Sequence, residues 1–241
     1  MSDRSRRNDM FKGATTIFFD LDGTLVNTIP LIFACYHHTL GEHLPGYMPP
    51  PDVIVNNLGR SLQAILRDYA VAAGVPDPAA TAGAMLNSYR AFQREHIDTL
   101  IQPYEGMREA LAGLRDRGYR LGLVTSKVEW AARMTYERYG LGEFLTTLVF
   151  HDETSMHKPH PEPLLLAASK AGISPGRAVY VGDSIHDMVA ALAAGMRTIG
   201  ALWGPFEAAA LQRAGADALI EKPTHLLDLF SGVDPARGIR P

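Results

Sequence analysis

Residues 15–28 read TTIFFDLDGTLVNT and carry two carboxylates, Asp20 and Asp22, out of an apolar stretch into a turn marked by Gly23. Two acids one residue apart at the end of a buried strand are costly unless a cation or a reaction employs them. Three more apolar runs end in polar groups. LGLVTSK ends in Thr125 and Ser126, the loop after TTLVF holds Lys158, and AVYVGDSIHD carries Asp183 with Asp187 four residues on. Brought together, three or four carboxylates repel and need positive charge. Lys158 supplies one unit, and a hard divalent cation with oxygen ligands supplies the rest; Mg2+ suits that role. Thr125 and Ser126 offer a hydroxyl and backbone N–H groups to phosphate oxygens. The expected site is therefore anionic until loaded with metal and receptive to phosphate afterwards. In such a site Asp20 is the candidate nucleophile toward phosphorus. Asp22 is the candidate acid that protonates the leaving oxygen and then the base that deprotonates water.

These residues meet only if the fold gathers them. Ile17, Phe18 and Phe19 read as a strand covered on both faces, as in a parallel sheet. Chemistry in such sheets collects at the carboxyl ends of the strands. From Tyr104 onward apolar runs alternate with amphipathic ones, and Gly118 and Gly172 stand where helices end. That alternation predicts an α/β fold with a doubly wound parallel (Rossmann-like) sheet core. Residues 29–44, 61–73 and 78–96 read as helices with no strand between them, and the proline-rich run GYMPPPDV reads as a loop. The expected organisation is a flexible basic arm at 1–14, a core formed by 15–27 and 103–232, an α-helical cap inserted at 28–102, and a flexible tail at 233–241. The two connections near residues 27–30 and 102–104 would act as a hinge pair, and a lid mounted on them can exclude water from the rim.

A net charge of −3 on 241 residues excludes a strongly basic nucleic-acid binder. No apolar run reaches membrane-spanning length, and the single cysteine, Cys35, excludes an intrachain disulfide. A reducing, cytoplasmic setting is the expectation. None of the nine histidines has a partner at zinc-site spacing. Trp203 and Phe206 are read as packing beside the sheet.

The set DLDGTLV at 20–26, Thr125 closing LGLVT, Lys158 in KPHPEP and GDSIHD at 182–187 resembles the haloacid dehalogenase superfamily of phosphohydrolases, in its phosphoglycolate phosphatase-like branch. The resemblance implies that Asp20 is nucleophile and magnesium ligand, and that Asp22 is general acid/base and binds the metal through its backbone carbonyl. It implies Thr125 and Lys158 as phosphate binders, Lys158 also restraining Asp20. Asp183 would be the remaining magnesium ligand, and Asp187 an acid that orients water or Lys158. Arg60 follows a glycine where relatives often contact substrate. Asn27 and Thr28 stand where relatives often have Asp-Ser, a change expected to affect cap closure or substrate contacts. The implied activity is Mg2+-dependent hydrolysis of small phosphate monoesters, with phosphoglycolate the family default and inorganic pyrophosphate the alternative. A small phosphorylated metabolite or pyrophosphate is then the partner, with no nucleic acid and no membrane. An alternative of another class is a non-catalytic phospho-accepting or phosphate-binding regulator.

Overall fold

The computed structural model describes residues 10–231, so most of the expected basic arm and the whole expected tail lie outside the described residues. In chain order the strands are β1 (Thr16–Phe19), β2 (Val26–Asn27), β3 (Gln102–Pro103), β4 (Arg120–Val124), β5 (Leu145–Val149), β6 (Ala178–Gly182), β7 (Arg197–Ala201) and β8 (Ala218–Ile220). Six of them form one sheet in the order β5-β4-β1-β6-β7-β8, every pairing parallel. The helices are α1 (Ile29–His43), α2 (Pro51–Asn57), α3 (Leu62–Ala72), α4 (Pro78–Leu100), α5 (Met107–Asp116), α6 (Glu129–Glu137), α7 (Glu162–Ala171), α8 (Ile185–Ala193), α9 (Ala208–Arg213) and α10 (His225–Leu229). The doubly wound α/β core expected from the alternating pattern is the fold.

The run of apolar residues in β1 is explained by its place. Ile17 and Phe19 join the larger core on one face, while Phe18 packs on the other with Val124, Leu164 and Tyr180. A strand covered on both faces cannot alternate apolar with polar residues. Its neighbours are β4 and β6, Phe19 standing opposite Leu123 and Val181. Chain order reverses direction across β1, and open α/β sheets form their crevice at such a point. The ends of β1, β4 and β6 therefore adjoin.

Helices α1 to α4 lie between β2 and β3. Those two short strands pair antiparallel, Val26 with Pro103 and Asn27 with Gln102, so the outgoing and returning connections form one ribbon. The helices pack on one another through aromatic residues: Tyr36 lies edge-on to Tyr69 at 5.8 Å and to Tyr89 at 5.3 Å. Asp77 caps α4 by accepting from the amides of Ala79 and Ala80, and Pro78 suits the first helical position. The expected proline-rich loop needs correction, because its last residues, from Pro51 to Val53, open a helix that runs to Asn57. Pro51 takes the first position, where its missing N–H costs nothing, and Asp52 favours the helix dipole in the first turn. Helix α4 also runs to Leu100, past the expected end at 96. No described helix is long and apolar enough to cross a membrane.

Candidate active site

Asp20 leaves β1 with its amide bonded to the carbonyl of Val181 at 3.0 Å. The turn that follows depends on Gly23, whose φ is +81°; a Cβ there would stand 2.3 Å from Oδ2 of Asp183. Only glycine fits both the left-handed conformation and that approach. Asp183 follows β6, and its Oδ1 accepts from the hydroxyl of Thr24 at 2.6 Å. Asp187 sits in the first turn of α8, where its Oδ2 accepts from the amide of Ser184 at 3.0 Å and from its hydroxyl at 2.7 Å. This reciprocal capping fixes Asp187 as well as starting the helix.

Lys158 lies between the acids. Its Nζ is 2.9 Å from Oδ1 of Asp20 and 2.6 Å from Oδ1 of Asp187. It also donates to the hydroxyl of Tyr180 at 3.0 Å, and Tyr180 donates in turn to the carbonyl of Val124 at 2.8 Å. Asp20 and Asp187 are 4% and 0% exposed, and Asp183 and Lys158 are equally buried. One oxygen from each of Asp20, Asp183 and Asp187 lies within 4.8 Å of the other two. Three carboxylates facing one ammonium leave an excess of negative charge in a dry place. Oδ1 of Asp20 is buried and is paired with Nζ of Lys158. A hard cation with oxygen ligands fits this set.

The electrostatics follow from burial. Desolvation pushes Asp20 up to about 7; Lys158 opposes the rise, and Asp187 adds to it. Burial first, then Asp187 and Asp20, hold Asp183 well above the ordinary carboxylate range. For Lys158 burial acts downward, but Asp187 and Asp20 outweigh it and keep the ammonium charged far above neutrality. Asp20 has an ordinary value of 3.8 unfolded and about 7 folded. Between those values the folded chain holds the extra proton, so this group's stabilising contribution is full below the lower value and lost as pH rises through the upper one. The melting temperature of metal-free protein is expected to fall between about pH 5 and about pH 8, a slope that Asp20→Asn flattens. Thermal unfolding followed across that interval checks this; a melting temperature that climbs instead contradicts it.

Asp22 takes a different direction. Its carboxylate is outside the three-acid cluster, and Oδ1 accepts from Nζ of Lys127 at 2.5 Å and from the hydroxyl of Thr28 at 2.7 Å. Lys127 is buried and had no place in the sequence reading, although it is the next residue after Thr125 and Ser126 in LGLVTSK. A lysine left at the rim of a strand with acids across from it was the available signal. The hydroxyl of Thr125 accepts from the amide of Lys127 at 3.1 Å, which tightens this turn. Thr28, the second half of the unusual Asn-Thr pair, thus reaches the acid itself and not only the ribbon. Lys127→Met is expected to lower kcat by about tenfold or more with little change in melting temperature, because Asp22 loses the contact that aims it. Steady-state kinetics beside thermal unfolding separate the two effects, and an unchanged kcat would mean that the contact does not position Asp22.

The other expected residues are also near. Ser126 uses its hydroxyl on the carbonyl of Gly59 at 2.7 Å, tying the β4 end to the helical insertion. Gly59 has φ +91°, and a Cβ there would meet Oγ of Ser184 at 2.8 Å, so the insertion touches the core at its glycine. Arg60 bonds Asn57 and pairs with Asp68 at 2.9 Å. Trp203 donates its indole N–H to the carbonyl of Thr24 at 2.9 Å, supporting the residue that holds Asp183. A cavity of about 940 Å³, counting its open mouth, lies over this rim. Asp20, Asp22, Asp183 and Thr125 form its floor, and Tyr36, Tyr89 and Arg90 of the helices line it as well.

Residues 17–201 match the haloacid dehalogenase-like hydrolase family. A Bacillus velezensis protein named pyrophosphatase PpaX is 38% identical over 218 residues, which cover 90% of this chain and 97% of that one. A Bacillus cereus protein of the same name is 33% identical over 219 residues, covering 91% and 97%. The crystal structure of a hydrolase from Pseudomonas syringae has a TM-score of 0.79 at 26% identity, covering 89% of this chain and 96% of its own. The four strand-end motifs and the strands from β4 to β7 fall inside the matched span, so the chain belongs to the haloacid dehalogenase-like hydrolase family and is a hydrolase.

Proposed function

We propose that this hydrolase is a Mg2+-dependent phosphatase of small phosphorylated metabolites that works through an aspartyl-phosphate on Asp20. The observation that carries the reading is the buried cluster of Asp20, Asp183 and Asp187 around Lys158, set in the floor of a cavity lined by the inserted helices. Membership of a hydrolase family leaves no support for the non-catalytic regulator.

Asp20 and Asp183, with the backbone carbonyl of Asp22, would hold Mg2+, which when bound neutralises charge on the transferring phosphoryl oxygens. Asp187 is already engaged by Lys158 and Ser184, so its part is to position Lys158. The Asp20 carboxylate attacks phosphorus, and the bond from phosphorus to the leaving oxygen breaks as Asp22 gives that oxygen a proton. Water then attacks the same phosphorus while Asp22 takes its proton, and the bond to Asp20 breaks to release inorganic phosphate. Lys158 holds Asp20 and faces the equatorial oxygens with its positive charge. Thr125 offers them a hydroxyl. The Ser126 hydroxyl is committed to Gly59, so Ser126 contributes its backbone N–H. Residues 28–102 act as a cap that closes over the rim and keeps water out until the second step.

The monoester reading takes phosphoglycolate as its default substrate. Identity of 38% to a protein named pyrophosphatase, across nine-tenths of the chain, favours inorganic pyrophosphate as the second reading. A phosphate-release screen over pyrophosphate, phosphoglycolate and simple aryl and alkyl phosphates, ranked by kcat/KM, tests both. Release that persists at full rate after chelation with EDTA removes the Mg2+ requirement; no release from any of these compounds removes the phosphatase. The buried Cys35, whose thiol burial pushes up to about 12, suits the reducing cytoplasm proposed as its setting.

A further inference from the structure

Three long cationic side chains line the cavity: Arg60, Lys127 and Arg90. Two are already neutralised, Lys127 by Asp22 and Arg60 by Asp68. Among the described residues Arg90 has no hydrogen bond and no ion pair, although it is part-buried. Gln93 stands three residues further along α4, hence on the same helix face. It lines the same cavity, is only 5% exposed, and makes no hydrogen bond with any described residue. Arg90 and Gln93 thus offer two hydrogen-bond donors on one helix face to the cavity that Asp20 and Thr125 also line.

The helix that carries them is held on both sides. Tyr89 is buried and lies edge-on to Tyr36. Arg94 stacks over the ring of Trp130 in α6 at 4.4 Å, which ties this part of α4 to the core beside the Thr125–Lys127 turn. The position of Arg90 is thus tied to the floor as well as to the other helices. A guanidinium forks onto carboxylate or phosphate oxygens and binds neutral groups far less well.

We propose that Arg90, with Gln93 beside it, binds a second anionic group of the substrate and so sets its class: a small phosphate compound with another anion at the end remote from the transferred phosphoryl. The proposal rests on the phosphatase reading and assigns to Arg90 the substrate contact that the sequence suggested for Arg60. The far phosphoryl of pyrophosphate and the carboxylate of a phosphorylated acid share this chemistry.

The test compares wild type with Arg90→Met and Arg90→Lys on pyrophosphate, on phosphoglycolate, and on p-nitrophenyl phosphate, which has no second anion. Arg90→Met is expected to raise KM by about 10- to 100-fold for a substrate with the second anion and by less than about threefold for the aryl ester. Arg90→Lys falls between. Loss confined to pyrophosphate or to phosphoglycolate identifies the source of the anion. Equal loss on all three compounds, or no loss, overturns the proposal. Calorimetry with methylenebisphosphonate and with inorganic phosphate gives a readout independent of turnover. Wild type is expected to bind the bisphosphonate more tightly, and Arg90→Met to abolish that difference while keeping phosphate binding. If wild type hydrolyses nothing, the phosphatase reading fails; the bisphosphonate comparison still decides Arg90, and equal binding of the two ligands by wild type rejects it.

Discussion

Asp20→Asn is expected to lose about four orders of magnitude or more in kcat while melting at the same temperature as wild type or above it. The amide keeps the shape of the side chain but is no nucleophile toward phosphorus. Its effect on stability has the opposite sign for a physical reason. Burial pushes the Asp20 carboxyl up to about 7, which means that its charged form is the one the fold disfavours. A neutral group removes that desolvation and the repulsion from Asp187, and Lys158 keeps its shorter contact, at 2.6 Å, to Asp187. Loss of turnover with the melting temperature retained would place Asp20 among residues kept for chemistry at the expense of stability. Near-wild-type kcat in this variant would remove Asp20 as the nucleophile.

Lys158→Met acts through the fold as well as the reaction. The ammonium is the only cation within salt-bridge distance of Asp20 and Asp187 among the described residues. Removing it leaves two carboxylates facing each other in a dry interior, and removing one member of a buried ion pair costs about 3–5 kcal/mol. For a chain of this size that corresponds to a drop in melting temperature of roughly 10 °C. Activity should vanish with it, since Asp20 loses its restraint. Pairing the change with Asp187→Asn is expected to restore part of the stability but none of the turnover, because the repulsion is relieved while the positive charge at Asp20 stays absent. A melting temperature for Lys158→Met within about 1 °C of wild type would show that the cluster relaxes by other means.

The sequence was most informative where order and composition are local. Ile17, Phe18 and Phe19 announce a doubly covered strand because no polar residue fits either face. The helices at 29–43, 62–72 and 78–100 announce themselves by their spacing and by Asp77-Pro78. Asp20, Asp183, Asp187, Thr125 and Lys158 could be named because each sits just beyond an apolar run, and parallel sheets bring such ends to one rim. The helix at 51–57 escaped because three prolines read as breakers, although proline starts a helix as readily as it ends one.

What lay beyond the sequence is which group faces which. Lys127 finds Asp22 from 105 residues away, and Thr24 finds Asp183 across 159; no periodicity records such partners. Only the tertiary structure separated the two acids of DLDGT, burying Asp20 against Lys158 and turning Asp22 out toward Lys127 and Thr28. The same limit applied to the arginines. In the sequence Arg60 and Arg90 are both cations on helices of one insertion. In the fold Asp68 meets the first, and the second faces the cavity with no hydrogen bond or ion pair among the described residues. Residue types and local order determined that a phosphate-directed set of acids and a lysine would gather at strand ends. Pairing in space, which depends on burial and distance between segments far apart in the chain, decided which charges cancel and which remain for a ligand.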